Sequence, residues 1–147
     1  MTMVFTNGCF DLFHPGHSHS LTAAKKFGDY LVVAINSDDW VRRVKGPGRP
    51  IYPLSERMKM VMCHKAVGEV AAFDTEDDLQ NLIEKVYKPN VLVKGSEWRG
   101  KAVTGKDWVI ANGGKMRYIE PYGEYRTTHI ISQILNLFEK ERWVTGE

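Results

Sequence analysis

Two histidines near the amino terminus, His14 and His17, have the side chains and the spacing best suited to chemistry in this chain. Leu21 follows His17 at i+4, so a helix beginning near His14 would carry His17 on its apolar face. Pro15 and Gly16 lie between the histidines, where a fixed φ and a small residue suit a tight turn from a strand into that helix. Unpaired backbone N–H groups and the positive end of a helix dipole bind anions there, phosphate above all. Two imidazoles at this position can donate hydrogen bonds to phosphate oxygens as charge develops on them.

Two other interpretations of the pair stay open from the residues alone. The histidines could belong to an ordinary helix start without a chemical role. Cys9, His14, His17 and His19 also have the identities of zinc ligands, although no further cluster of Cys or His completes such a site.

Length and composition narrow the class of protein. The 147 residues suffice for one domain, and 43% hydrophobic and 26% charged residues are typical of a soluble globular protein. A net charge of +2 is too small to predict nucleic-acid binding, and no apolar run is long enough to insert into a membrane. Cys9 and Cys63 form no CxxC motif, and the start lacks the pattern of a signal peptide, so a cytoplasmic location is expected.

Apolar runs alternate with amphipathic patterns along most of the chain. Five runs predict strands, at about residues 3–5, 30–35, 70–73, 91–94 and 116–119. A last helix is predicted from about Thr128, with an apolar stripe formed by Ile130, Ile131, Ile134 and Phe138. The alternation predicts a single α/β domain over residues 1–147, with a charged tail from about 139. Its sheet would be doubly wound and parallel, Rossmann-like, with five strands in the order 3-2-1-4-5.

Four cationic side chains have positions from which they could reach an anion. In an open parallel sheet the ligand lies beyond the carboxyl ends of the strands at the switch in strand order, so Lys94 would share a crevice with the histidine turn. Glycine and proline surround Lys45 and Arg49, and a mobile basic loop of this kind could close over phosphates. Arg57 borders the apolar stripe of its helix, so it can reach inward or extend to solvent.

The start of the last helix has two interpretations. Arg126, Thr127 and Thr128 could form a simple N-cap, although neither threonine has Glu or Gln three residues later. The alternative is a second helix N-terminus aimed at phosphate groups.

The sequence Gly8-x-Phe10-Asp11 before the histidine motif resembles that of the HxGH nucleotidyltransferases, a superfamily of cytidylyl-, adenylyl- and pantetheine-phosphate-transferring enzymes. The resemblance implies attack by a substrate phosphate oxygen on the α-phosphorus of a nucleoside triphosphate, with release of pyrophosphate. It supports Lys45 as a triphosphate ligand. The family carries a Ser/Thr-rich run where this chain has Arg126, so that residue departs from the pattern.

The resemblance also implies which residues serve the site. The catalytic residues would be His14, His17, Lys45 and Arg126. Nucleotide-binding residues would be Thr6, Asn7, Gly8, Cys9, Phe10, His14, Gly16, His17, Lys45, Lys94, Gly95, Glu97, Arg126, Thr127 and Thr128. Substrate-binding residues would be Asp11, Arg57 and Lys94. Mg²⁺ is expected on the triphosphate, held largely by phosphate oxygens and water, with Asp11 and Glu97 the carboxylates best placed to help.

Over most of its length the chain is similar to the adenylyltransferase part of the ADP-heptose synthases. The matching stretches are residues 6–11, 33–38, 91–95 and 111–114. This similarity implies ATP and heptose 1-phosphate as substrates. Residues 27–35 and 97–101 also resemble the glycerol-3-phosphate cytidylyltransferases, which leaves CTP and a polyol phosphate as the alternative. A non-catalytic nucleotide-binding module is a second alternative, and a homodimer is a weaker expectation.

Overall fold

The computed structural model describes the backbone of residues 1–145 and the side chains of residues 1–141. Five parallel strands form one sheet in the order β3-β2-β1-β4-β5, which confirms the predicted architecture. The strands are β1 (Met3–Gly8), β2 (Tyr30–Asn36), β3 (Glu69–Phe73), β4 (Val91–Gly95) and β5 (Lys115–Ile119).

Six helices connect or follow the strands. They are α1 (Pro15–Lys25), α2 (Asp38–Lys45), α3 (Leu54–Met62), α4 (Glu76–Asn81), α5 (Lys106–Ala111) and α6 (Thr127–Thr145). Helix α4 continues as a π-helical turn over Leu82–Tyr87, and a 3₁₀ turn over Ser96–Trp98 follows β4.

The core consists of one apolar layer on each face of the sheet. Val4 on β1 and Val33 on β2 point to the face covered by α1, where Leu21 is fully buried. Phe5 and Val32 point to the opposite face, which α4 and α5 cover. This alternation arises because successive side chains of a strand point to opposite faces, and continuous apolar runs result when both faces are buried.

Strands β1 and β4 lie side by side, with Val4 opposite Val91 and Thr6 opposite Val93. The chain leaves β1 toward α1 on one face, while the connection before β4 covers the other face. The two carboxyl ends therefore meet at the switch in strand order, where a ligand site is expected.

Helix α6 differs from the sequence expectation in its second half. Ile130 and Ile131 are partly buried, but Ile134 is 57% exposed and Phe138 is 60% exposed. The predicted stripe therefore packs against the body of the domain only through its first turn. The segment predicted as a charged tail from about 139 continues the helix to Thr145. Over the residues described, no helix combines enough length and apolarity to cross a membrane.

Candidate active site

The turn from β1 into α1 holds the two histidines in a reciprocal cap. His14 is the N-cap residue, and its Nδ1 accepts a hydrogen bond from the Gly16 N–H at 3.1 Å. His17 Nδ1 accepts from the His14 N–H at 3.2 Å. Phe10 and Leu12 lie in the turn that precedes this cap, and their backbone φ values are 51° and 48°. Such left-handed conformations are costly outside glycine and cluster at functional sites.

This cap fixes the tautomer of both rings. Because each Nδ1 accepts a hydrogen bond, a neutral ring must carry its proton on Nε2. The rings of His14 and His17 stack with their centroids 3.7 Å apart, and Phe10 and Phe13 contact the His17 ring. His17 lines a cleft of about 550 Å³, while His14 lies behind it, 9% exposed and outside the cleft lining. Among the described residues none accepts a hydrogen bond from His17 Nε2, which leaves that donor for a ligand.

Both histidines are neutral at neutral pH. Burial lowers the pKa of His17 to about 3, and the charges of His14 and Lys45 act in the same direction. Burial also lowers the pKa of His14. At neutral pH the two rings can therefore offer Nε2–H donors, and neither ring contributes a positive charge.

Gly16 allows a second segment to approach the helix start closely. A Cβ atom at this position would lie 2.9 Å from the Tyr125 carbonyl oxygen and 2.9 Å from the His14 ring. The absence of a side chain therefore lets the segment that precedes α6 pack directly on the N-terminus of α1.

Asp11 connects this turn to the basic loop of residues 46–53. Its carboxylate is 2% exposed, and Oδ2 accepts from the Ile51 N–H at 2.7 Å. Its Oδ1 accepts from the Tyr52 and Leu12 N–H groups at 3.0 and 3.1 Å. Both carboxylate oxygens thus accept hydrogen bonds from backbone N–H groups. The carboxylate lies at the cleft wall, but few of its lone pairs remain for a substrate. Lys45, the last residue of α2, lines the same cleft.

Arg57, which the sequence analysis places among the substrate-binding residues, lies away from the cleft. Its side chain is fully buried and does not line the cleft. It donates to the carbonyl oxygens of Tyr52 and Cys9, both at 2.9 Å, and pairs with Asp38 at 2.7 Å. The Arg57 side chain extends into the interior of the protein, where three protein acceptors satisfy its guanidinium. It therefore holds the loops that carry the site.

Lys94 near the end of β4 is a partly buried cation whose contacts with neighbouring side chains are long. Its Nζ lies 3.5 Å from Asn7 Oδ1 and 4.5 Å from the centre of the Trp98 ring. Burial lowers the pKa of Lys94, while the Glu97 carboxylate acts against that shift. The ammonium lines the cleft together with Gly95 and Glu97, so an anionic ligand would compensate its charge.

The N-terminus of α6 reaches the cleft through one threonine. Thr127 lines the cleft, and its hydroxyl donates to the Asp11 carbonyl oxygen at 2.8 Å. Thr128 lies outside the cleft lining, and its Oγ1 is 3.5 Å from Arg49 Nη1. Arg126 is exposed and also outside the lining, so the structure does not bring it together with the histidines.

The cleft brings together most of the nucleotide-binding residues predicted from the sequence. Of that set, the residues that line it are Thr6, Asn7, Gly8, Cys9, Phe10, His17, Lys45, Lys94, Gly95, Glu97 and Thr127. Sequence reasoning missed a second group of lining residues, Ser20, Asn36, Trp40, Val41, Val44, Arg49, Glu76, Leu79, Trp98, Ala102, Val103 and Thr104. These residues come from several separate elements, and only the fold brings them to one cleft. Arg49 was noted as a basic loop residue but was not assigned to the site.

The donor set of the cleft bears on metal binding. Within the described part of the chain, no three Cys, His, Asp or Glu side chains are grouped to hold a metal ion, so the alternative zinc site does not form. His19 instead stacks on Tyr122. Both cysteines are free thiols. A Mg²⁺ ion carried by a triphosphate would find the Glu97 carboxylate at the cleft wall.

Comparison with known proteins agrees with the architecture. The family model described as cytidylyltransferase-like matches residues 5–133. The bifunctional protein HldE of Alcanivorax borkumensis is 45% identical over 132 residues, which cover 90% of this chain and 27% of that protein. The bifunctional protein HldE of Coxiella burnetii is 43% identical and the match covers 28% of its length. The chain thus spans little more than a quarter of these relatives.

A solved structure extends the comparison. A lipopolysaccharide core biosynthesis protein from Thermoplasma volcanium superimposes with a TM-score of 0.66 and 26% identity. The match covers 86% of this chain and 99% of that one.

Proposed function

Because the chain belongs to the cytidylyltransferase-like family and is a nucleotidyltransferase, we propose that it transfers the adenylyl group of ATP to heptose 1-phosphate. The products are ADP-heptose and pyrophosphate. The observation that carries the reaction class is the pair of neutral histidines at the N-terminus of α1, with a free Nε2–H of His17 facing a cleft that also contains Lys45 and Lys94. The choice of ATP and a heptose rests on the similarity to the ADP-heptose synthases. It is supported by the HldE relatives and by the lipopolysaccharide core biosynthesis protein.

The reaction needs no nucleophile from the protein. An oxygen of the acceptor phosphate, already ionised at neutral pH, attacks the α-phosphorus and forms the new P–O bond. The bond from the α-phosphorus to the bridging oxygen of the β-phosphate breaks, and pyrophosphate leaves with that electron pair. Catalysis then consists of positioning and stabilisation of charge.

His17 donates from Nε2 to the phosphate oxygens on which charge increases, and His14 holds the His17 ring in its tautomer and orientation. Lys45 neutralises charge on the triphosphate from the end of α2. Lys94 receives the acceptor phosphate, which would supply the counter-charge that its buried ammonium lacks. Arg126 is exposed outside the cleft lining, so it would have to turn inward to reach a bound phosphate. In this proposal it contacts phosphate only at the outer edge of the site.

Mg²⁺, when bound with the triphosphate, would neutralise charge on the phosphates and polarise them. Phosphate oxygens and water would supply most of its ligands, and Glu97, one of the carboxylates that line the cleft, could join them.

A substrate panel tests the proposal. ATP and CTP are each offered with heptose 1-phosphate and with glycerol 3-phosphate, and pyrophosphate release is measured. We expect the fastest release with ATP and heptose 1-phosphate. A preference for CTP and glycerol 3-phosphate would favour the cytidylyltransferase alternative. Triphosphate binding without turnover for every pair would indicate a non-catalytic module.

A homodimer remains part of the proposal about partners. Exposed apolar side chains on the second half of α6, Leu135 and Phe138 among them, are consistent with an interface between copies. Light scattering on the purified chain would give a mass of two chains if this is correct and one chain if it is not.

A further inference from the structure

Arg49 occupies a position in the cleft that the reaction described above does not yet use. Its side chain is 15% exposed and lies in the cleft wall. Its Nε is buried and has no hydrogen-bond partner. Nη1 lies 3.5 Å from Thr128 Oγ1, which is a long contact. The guanidinium is therefore largely withdrawn from water and still has donors to offer.

The carboxylate of Asp11 lies near Arg49 but does not accept a hydrogen bond from it. Nε lies 3.9 Å from Asp11 Oδ2, beyond hydrogen-bonding distance. That oxygen already accepts from the Ile51 N–H at 2.7 Å, and the other carboxylate oxygen accepts from two further backbone groups. Asp11 thus orients the loop that carries Arg49 and leaves the guanidinium unpaired at close range. A partly buried cation in this condition is stabilised by an incoming anion.

The surroundings of Arg49 match a ligand with two phosphate groups. The guanidinium lies between the basic loop and the N-terminus of the 19-residue helix α6, which it approaches through Thr128. Thr127 from the same helix and Lys45 from α2 line the cleft beside it. A planar guanidinium can hold two oxygens at once, and a helix N-terminus adds backbone donors. Lys94 lies on the other strand at the switch, at the end of β4, so the two cations can serve different phosphates.

From this arrangement we propose that Arg49 binds the β- and γ-phosphates of the triphosphate and retains them as pyrophosphate when the bond to the α-phosphorus breaks. Asp11 is the positioning residue that sets the loop for this contact. The inference rests on the proposed nucleotidyl transfer and names a further binding residue for it.

The experiment measures the binding of inorganic pyrophosphate by calorimetry, together with the kinetics of the transfer. Arg49→Ala and Arg49→Lys are compared with the wild-type chain. We expect Arg49→Ala to weaken pyrophosphate binding and raise KM for the triphosphate by about 10- to 100-fold, the loss expected for a charged hydrogen bond. Arg49→Lys keeps the charge but loses the bidentate geometry of the guanidinium. Its pyrophosphate affinity should therefore lie between those of the wild type and Arg49→Ala. KM for the acceptor should stay unchanged.

Arg42→Ala is the matched control, because Arg42 is an exposed arginine on α2 that pairs with Asp39 outside the cleft. Its pyrophosphate affinity should equal that of the wild type. Thermal unfolding of each variant separates binding from folding, and Arg49→Lys carries the test if Arg49→Ala does not fold.

Three outcomes would overturn the inference: wild-type pyrophosphate affinity in Arg49→Ala, a change confined to the unfolding temperature, or a change confined to KM for the acceptor. A failure of the proposed function looks different, because the wild-type chain itself would then neither release pyrophosphate from any substrate pair nor bind it.

Discussion

The two histidines of the α1 cap use one ring nitrogen each to hold the turn. Nδ1 of each ring accepts a backbone hydrogen bond at the helix N-terminus, and this fixes the proton of the neutral ring on Nε2, the atom to which we assign the phosphate contact of His17. The identity and spacing of the pair could be read from the sequence, because a motif of four residues carries them. Their stacking and the order of the rings, with His17 in front and His14 behind, could not, because these depend on Phe10, Phe13 and the left-handed turn that places them.

The low pKa of His17 predicts a specific loss of stability in acid. In the unfolded chain a histidine titrates near 6.5, whereas burial lowers the pKa of His17 to about 3 in the folded chain. Between these values the unfolded state binds one more proton, so the free energy of unfolding falls as the pH falls from 6.5 toward 3 and is fully retained above 6.5. His14 and His64 shift in the same direction and remain in the variant described next.

Urea unfolding of the wild-type chain and of His17→Asn, measured between pH 4.5 and 5.5, tests this point. The slope of unfolding free energy against pH should be smaller in His17→Asn by about 1.4 kcal/mol per pH unit, the effect of one proton. Equal slopes would mean that His17 titrates normally in the folded protein.

At the scale of elements, the site depends on three chain segments that meet at the N-terminus of α1. Gly16 admits the segment that precedes α6, and Asp11 holds the basic loop through the Ile51 and Tyr52 amides. Arg57 links that loop to the end of β1 through carbonyl oxygens. The sequence showed that Arg57 could reach inward or outward but not which, because the choice depends on acceptors that other segments supply.

Replacing Gly16 with alanine tests the close approach. The added methyl group would meet the Tyr125 carbonyl oxygen and the His14 ring at 2.9 Å, so one of the two must move. We expect a loss of about 1–3 kcal/mol in unfolding free energy, as for other overpacked sites. The turnover should fall as well, since the histidine cap shifts with the backbone.

Gly48→Ala is the control for this substitution, because a Cβ atom at Gly48 meets nothing within 4 Å. It should match the wild type in denaturant midpoint. If Gly16→Ala matched Gly48→Ala in stability and the wild type in turnover, the packing of the segment before α6 on α1 would have no part in forming the site.

In the molecule as a whole, the strands and the location of the cleft could be predicted, because apolar runs are local in the sequence and open parallel sheets share one position for the ligand. Buried runs such as the one that forms β2 identify strands, and the rule for open parallel sheets places the ligand where β1 and β4 diverge. The opposite wall, with Trp40, Glu76 and Val103, could not be predicted, since these residues meet only after three connections have folded. The exposed second half of α6 was missed for a related reason: periodicity identifies an apolar face but not the element that covers it.

In the proposed reaction His17 stabilises charge on the phosphates during nucleotidyl transfer, and steady-state kinetics of His17→Ala measure that contribution. We expect kcat to fall by about 10²–10³, as for removal of one positioned donor, with little change in KM for the triphosphate. His19→Ala, on the same helix but outside the cleft lining, should keep the wild-type kcat. A wild-type kcat in His17→Ala, in a variant shown to be folded, would remove the histidine pair from the mechanism.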